Sequence, residues 1–294
     1  MLVAGTVKEI NPIFIAGLGG TIGGIILLVA IQFSKNPITK IQLRKNKKDL
    51  LQMTFFRTML GQTMLLVGLS LTLPIKAIFF TKIEPYFVLL WERVKLKEKI
   101  HRKHLALLGM HIFGAFMLST GLELTSFGTT HIGDLLIILS MFVMSFTYIV
   151  GKRLSHSFGS IKTTAITTFV GSFIVLTAVL MMLPLSVPAN FSVSYLPWLY
   201  FGLYVVMWYP ISLPLWYSSL KFVRGWIVSA LRIVGPIVGA AVAFFLFGNT
   251  LNEIQIIGVV IVLITSFLIV REHQKDAESP HSARKKYRKT RHHI

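Results

Sequence analysis

PIKAIFFTKIEPYFVLLWERVKLKEKI, Pro74–Ile100, holds both features that decide the fold. Its first part, 74–92, is an apolar run of the length a helix needs to cross a ~30 Å hydrocarbon layer. Its second part opens a basic loop that carries Arg93, Lys95, Lys97, Lys99, Arg102 and Lys103. Outward from it, similar runs recur at 12–33, 51–72, 104–120, 132–151, 163–184, 195–217, 222–247 and 253–270. Lipid offers no partner to backbone N–H and C=O groups, so each run is expected to be a helix. Composition agrees: 54% of the 294 residues are hydrophobic and 14% are charged, where a soluble domain carries about a quarter. The chain therefore reads as an all-α polytopic membrane protein with about nine transmembrane helices. It has no cysteine, which excludes disulfides, thiolate metal sites and cysteine nucleophiles. Met1–Asn11 lacks the basic and apolar segments of a cleavable leader.

The basic loop after residue 92 is one beat of an alternation. Twenty-six of the thirty lysines and arginines fall in alternate gaps or just beyond them. These gaps are SKNPITKIQLRKNKKD with Arg57 following it, the loop quoted above, 151–162 with Lys152, Arg153 and Lys162, the turn at Lys221 and Arg224, and the tail from Arg271. The intervening gaps, STGLELTSFGTTHIGD, PLSVPANFSVSYLP and GNTLNE, hold none. Basic loops stay cytosolic. The C-terminus is thus expected inside and, after nine crossings, the N-terminus outside, in the plasma membrane (the inner membrane in a bacterium). The +19 net charge becomes a topology signal. The tail RKKYRKTRHHI is read as orientation plus attraction to anionic lipid headgroups. No folded basic module stands behind it, so nucleic acid is not an expected partner. The glycosylation sequon Asn190-Phe-Ser192 falls on the outer side.

Residues 74–100 align without a gap on GWIVSALRIVGPIVGAAVAFFLFGNTL, residues 225–251, with Pro85 on Pro236 and Glu98 on Asn249. The two copies are five helices apart in chain order, an odd offset, so they run in opposite directions. That is an inverted-topology repeat, on which many secondary carriers are built. The expected division is a first repeat over 1–125, a second over 126–270, and a basic cytosolic tail, 271–294, expected to be disordered.

Glu84-Pro85, the LKEKI segment, HIGDLLIILSMFVMSFTYIVGKRL and the closing GPIVGAAVAFFLFGNTLNEIQIIGVVIVLITSFLIV together resemble the EamA-type drug/metabolite transporter family, in order and spacing, over nearly the whole chain. The resemblance implies ten helices in two sets of five with both termini cytosolic, and a transport function. The chain departs from that pattern at three places. MLVAGTVKEINP looks like the end of the family's first helix, so that helix is expected to be missing. Ala16-Gly17-Leu18-Gly19 stands where the family often has an arginine. Asn249 replaces the carboxylate that ends the second copy.

Ionisable side chains inside a span are costly, at least ~2.5–3.5 kcal/mol on insertion scales, and mark functional sites. Lys82 lies about 12 Å and Arg232 about 15 Å into their spans at 1.5 Å per residue. Glu84 is the third ionisable residue set inside a span, and the three sum to +1. On an ideal helix Lys82 and Glu84 point about 200° apart, unless Pro85 kinks it. Two readings stand: Glu84 pairs with Arg232 or a neighbour and holds the bundle together, or Lys82 or Arg232 meets a substrate anion. Pro210 and Pro214 bend the seventh span beside Tyr204, Trp208 and Tyr209, and Gln62 is a polar lining residue or interhelical glue. His111 is a proton-coupling switch or a hydrogen-bonded structural residue. The GxxxG patterns at Gly19, Gly20, Gly23 and Gly24 and at Gly235 and Gly239 point to close helix packing.

No zinc motif, phosphate loop or nucleophile elbow is present, so the protein is not expected to be an enzyme, and no metal or cofactor is expected. The expected function is a secondary carrier or exporter of a small organic metabolite, anionic or zwitterionic, working by alternating access. Its expected partners are that solute, the bilayer, and a second copy in a homodimer. The alternative is a membrane scaffold or lipid-handling subunit that keeps the fold without transport.

Overall fold

The computed structural model describes residues 11–34, 36–97, 100–122, 132–182, 195–232, 235, 237 and 252–278. Among them every regular element is helical. Five helices are long and apolar enough to cross a membrane: Pro12–Gln32, Ile132–Ser157, Ser160–Met181, Pro197–Phe222 and Glu253–Glu272. Pro236, Glu98, Asn249, Gly239, Asn190 and the RKKYRKTRHHI tail lie outside the described residues, as do residues 1–10.

The chain divides into two compact units, 1–98 with 124–228, and 99–123 with 229–294. In the first unit α1 spans Pro12–Gln32. Asn11 caps it by accepting from the N–H groups of Ile13 (2.9 Å) and Phe14 (3.2 Å), and Pro12 supplies a ready-made first-turn φ. A second long helix runs as α2 (Lys40–Met53), a π-helical stretch (Thr54–Gln62) and α3 (Thr63–Leu71). α2 corrects the expectation that 34–49 is a loop. Thr39 caps it, and Lys, Arg, Gln and Leu all favour helix, so a polar solvated helix extends the span. α4 (Pro74–Thr81) and α5 (Glu84–Leu96) follow, then α6 (Arg102–Thr120), which belongs to the second unit. α7 covers Ile132–Ser157 and α8 Ser160–Met182. The proline-bearing helix runs as α9 (Tyr195–Met207), a second π-helical stretch (Trp208–Ser212) and α10 (Leu213–Phe222). α11 spans Gly225–Leu231 and α12 Glu253–Glu278.

α7 is the hub of the first unit, packing on α2, α3, α4, α5, α10 and the first π-helical stretch. α1 lies along α8, and glycines set the spacing. A Cβ on Gly17 would stand 2.7 Å from the Leu176 Cα, and one on Gly24 2.7 Å from the Phe169 Cα. Gly20 fits equally tightly against Ser172, and Gly23 against Tyr209. The sequence pattern of small residues is therefore a close-packing surface here.

In the second unit α6 packs on α12. A Cβ on Gly258 would meet the Leu118 N at 2.5 Å, and Ala115 and Val262 form a buried cluster there. α12 stays helical to Glu278, past the point at which the tail was expected to begin.

Candidate functional site

The run 74–92 is not one helix. α4 ends at a turn in which Lys82 N donates to Phe79 O (2.9 Å), and α5 begins at Glu84 with Pro85 in its first turn. Proline lacks the N–H that a continuous helix would use, so the chain breaks just before it. The ideal-helix angle between Lys82 and Glu84 therefore does not apply. Lys82 is half-buried at the break, whereas Glu84 is buried and its Oε2 accepts from the Tyr148 hydroxyl at 2.7 Å.

Two π-helical stretches carry much of the polar machinery of the first unit. Pro210 and Pro214 explain the second one. Each removes a backbone donor, and the register slips by one residue: Leu213 N donates to Trp208 O, five residues back. Ser212 Oγ likewise donates to Met207 O at 2.8 Å. Such widened turns occur disproportionately at functional sites.

Gln62 ends the first stretch, and Trp208 and Tyr209 open the second. Gln62 Nε2 donates to the hydroxyls of Tyr204 (2.9 Å) and Tyr209 (3.1 Å). Tyr204 stacks on Trp208 with ring centroids 6.3 Å apart and planes 16° from parallel. Gln62 thus joins Tyr204, Trp208 and Tyr209 in one cluster.

Arg57 lies on the same π-helical stretch, buried with 4% of its surface exposed. Its guanidinium carbon stands 3.9 Å over the Trp216 ring, and Nη1 donates to Thr147 Oγ1 at 3.3 Å. Among the described residues it makes no ion pair. Trp216 packs edge-on against Tyr148 at 4.8 Å, and Tyr148 holds Glu84. Arg57, Trp216, Tyr148 and Glu84 therefore form a continuous track, buried except at the half-buried Trp216. In the sequence Arg57 follows a basic run, yet its neighbours Phe55, Phe56, Met59 and Leu60 are apolar and its side chain is buried rather than solvated.

Lys76, Asp134 and Glu92 are three further buried charges. Lys76 Nζ donates to Asp134 Oδ2 at 3.2 Å, with both side chains at most 2% exposed, and the Thr72 hydroxyl bonds the other carboxylate oxygen. Glu92 Oε1 accepts from Gly225 N at 2.7 Å. Asp134 is a lone acid in an apolar run, a signal that could have been read. Its partner lies 58 residues away, which no local pattern shows.

In the second unit His111 is fully buried. Nδ1 stands 2.6 Å from Thr265 Oγ1 and Nε2 3.0 Å from Ala230 O. Arg232 is exposed just past α11.

With this geometry in view, the profile of the EamA-like transporter family matches residues 1–120 and 131–271. No curated protein matches the sequence. One solved crystal structure superposes with a TM-score of 0.74 over 95% of this chain and 93% of its own, at 16% identity. That likeness is one of fold.

Proposed function

The chain belongs to the EamA-like transporter family, and on that premise we propose that it is a secondary transporter of a small organic metabolite bearing a negative or zwitterionic group. It is a multi-pass membrane protein. In the proposed arrangement nine spans form two inverted-topology repeats in the plasma membrane, with the C-terminus cytosolic and the N-terminus outside. Alternating access would expose one internal site to each face in turn.

The observation that carries the solute class is Arg57. A buried guanidinium held by an indole face and a hydroxyl, with no ion pair among the described residues, retains most of its attraction for an anion. The Gln62–Tyr204–Tyr209 cluster offers hydroxyls and an amide to the rest of such a solute. Lys82 and Arg232 are proposed as further cations on the route.

The test is flux of candidate carboxylate and amino-acid solutes in proteoliposomes that hold the purified chain. Wild type should give saturable flux, and Arg57→Gln, Lys82→Ala and Arg232→Ala should reduce it. If Lys82→Ala and Arg232→Ala both match wild type, those two residues leave the site. If the correctly folded wild type carries no solute, the scaffold reading replaces transport.

A further inference from the structure

A cavity of about 580 Å³ opens where the C-terminal ends of α1, α7 and α10 meet the start of α8. Its lining includes Ser160, Lys162, Lys221 and His156 and holds no Asp or Glu. α8, 23 residues long, begins in its wall. The first intrahelical bond runs from Thr163 N to Gly159 O, so the N–H groups of Ser160, Ile161 and Lys162 have no acceptor inside the helix. The residue before the helix is Gly159, with φ of +94°, a backbone shape suited to glycine. Glycine has no side chain with which to cap those donors.

Two observations beyond the helix end point to a ligand. Ser160 is 5% exposed, and its hydroxyl has no hydrogen-bond partner among the described residues. Lys162 is 7% exposed, yet its ammonium meets only neutral acceptors: Asn36 Oδ1 (2.9 Å), Pro37 O (3.0 Å) and Gln42 Oε1 (3.1 Å). A buried cation without a counter-charge is unfavourable, and here it sits at the end of a helix whose dipole is also positive. Lys221, half-buried across the cavity, makes no hydrogen bond or ion pair among the described residues. An anion in the cavity would bring the negative charge that Lys162 and Lys221 lack and an acceptor for the Ser160 hydroxyl.

We propose that this cavity binds a phosphate group, held by the Ser160 hydroxyl, the first-turn N–H groups of α8 and Lys221, with the Lys162 ammonium as fixed counter-charge. Such a group reaches the site either as a free phosphate compound or as the headgroup of an anionic phospholipid. Helix N-termini with a neighbouring cation are suited to that chemistry. The inference does not rest on the transport reading.

The experiment uses the full chain in two settings. Inorganic phosphate is titrated against the detergent-purified protein by calorimetry. Phosphatidic acid is counted by native mass spectrometry after reconstitution in nanodiscs of phosphatidylcholine with phosphatidic acid. Ser160→Ala and Lys221→Gln test the site, because Lys162 also secures the turn before α2 and its loss could unfold that end. Lys95→Gln, on an exposed basic residue outside the cavity, removes equal charge. Ser160→Ala and Lys221→Gln should each weaken binding about tenfold, the loss of one charge-assisted hydrogen bond, while Lys95→Gln leaves it unchanged. Phosphate binding with this pattern identifies a site for the free group, and phosphatidic acid binding alone with this pattern identifies a lipid site. No binding in either setting, or equal loss in all three variants, overturns the proposal.

Discussion

Lys76 and Arg57 are both cations buried in the same compact unit, and they are balanced in opposite ways. Lys76 faces the Asp134 carboxylate, which also takes the Thr72 hydroxyl. Arg57 faces an indole ring and a threonine. A lysine ammonium is a compact, strongly hydrated charge, and burying one calls for a full counter-charge. A guanidinium is flat, diffuse and less strongly hydrated, so an aromatic face can hold it without neutralising it. The first arrangement is closed and serves the fold. The second is open to one more anion and serves recognition.

The comparison would break first at Lys76. Lys76→Met should cost about 3–5 kcal/mol by removing the ammonium that faces the buried Asp134 carboxylate, and Lys76→Met with Asp134→Leu should recover most of it. Thermal unfolding in detergent checks both, and equal stability of the single and double variants would deny that the pair is closed. Gly24→Ala sets a scale without charge. Its new methyl meets the Phe169 backbone and should cost about 1–3 kcal/mol, with the folded fraction still transporting. Arg57→Met should cost less than about 2 kcal/mol of stability, a desolvated cation–π contact, yet reduce anion flux at least tenfold. If it unfolds the protein as Lys76→Met does, the two cations are alike and the contrast fails. Tyr209→Phe removes one bond to Gln62 and should cost about 1 kcal/mol, read as a lower melting temperature and a raised KM for the solute. At the bottom stands Arg153→Ala. Its two bonds to Asp49 (2.7 and 3.0 Å) are at a surface where the side chains are 53% and 23% exposed, so the change should stay within about 1 kcal/mol and shrink with added salt.

What the sequence shows depends on how local the cause is. Apolar runs and glycine spacing are local, and they announced the helices and the α1 packing surface. Pro85 and the Pro210–Pro214 pair are local too, and they marked where helices would break or widen. Gln62, Tyr204 and Trp208 were recognisable as polar or aromatic residues at depth, although their bonding to one another spans more than 140 residues. Arg57 is ambiguous in the sequence because the same residue type signals topology in a loop and chemistry in a core, and it stands at the border between the two. Lys76 and Asp134 are 58 residues apart, so their pairing is visible only in the fold. The helical nature of 40–53 was hidden by its charge, since a search for spans discards polar helices.

The π-helical stretch Thr54–Gln62 has a mechanical corollary. A widened turn holds one residue more than an α-turn, and each residue of an α-helix advances it by about 100°. Moving that extra residue along the helix would swivel whatever lies between its old and new positions by about that angle, at the cost of re-registering a few backbone bonds. Gln62 and Arg57 could then be turned separately, like two segments of a jointed shaft. The chain has no cysteine, so one introduced on either side of the stretch, such as Thr63→Cys or Met53→Cys, carries a spin label alone. Label mobility that changes with solute at position 63 and not at 53 would reveal the swivel, and identical spectra at both positions would rule it out.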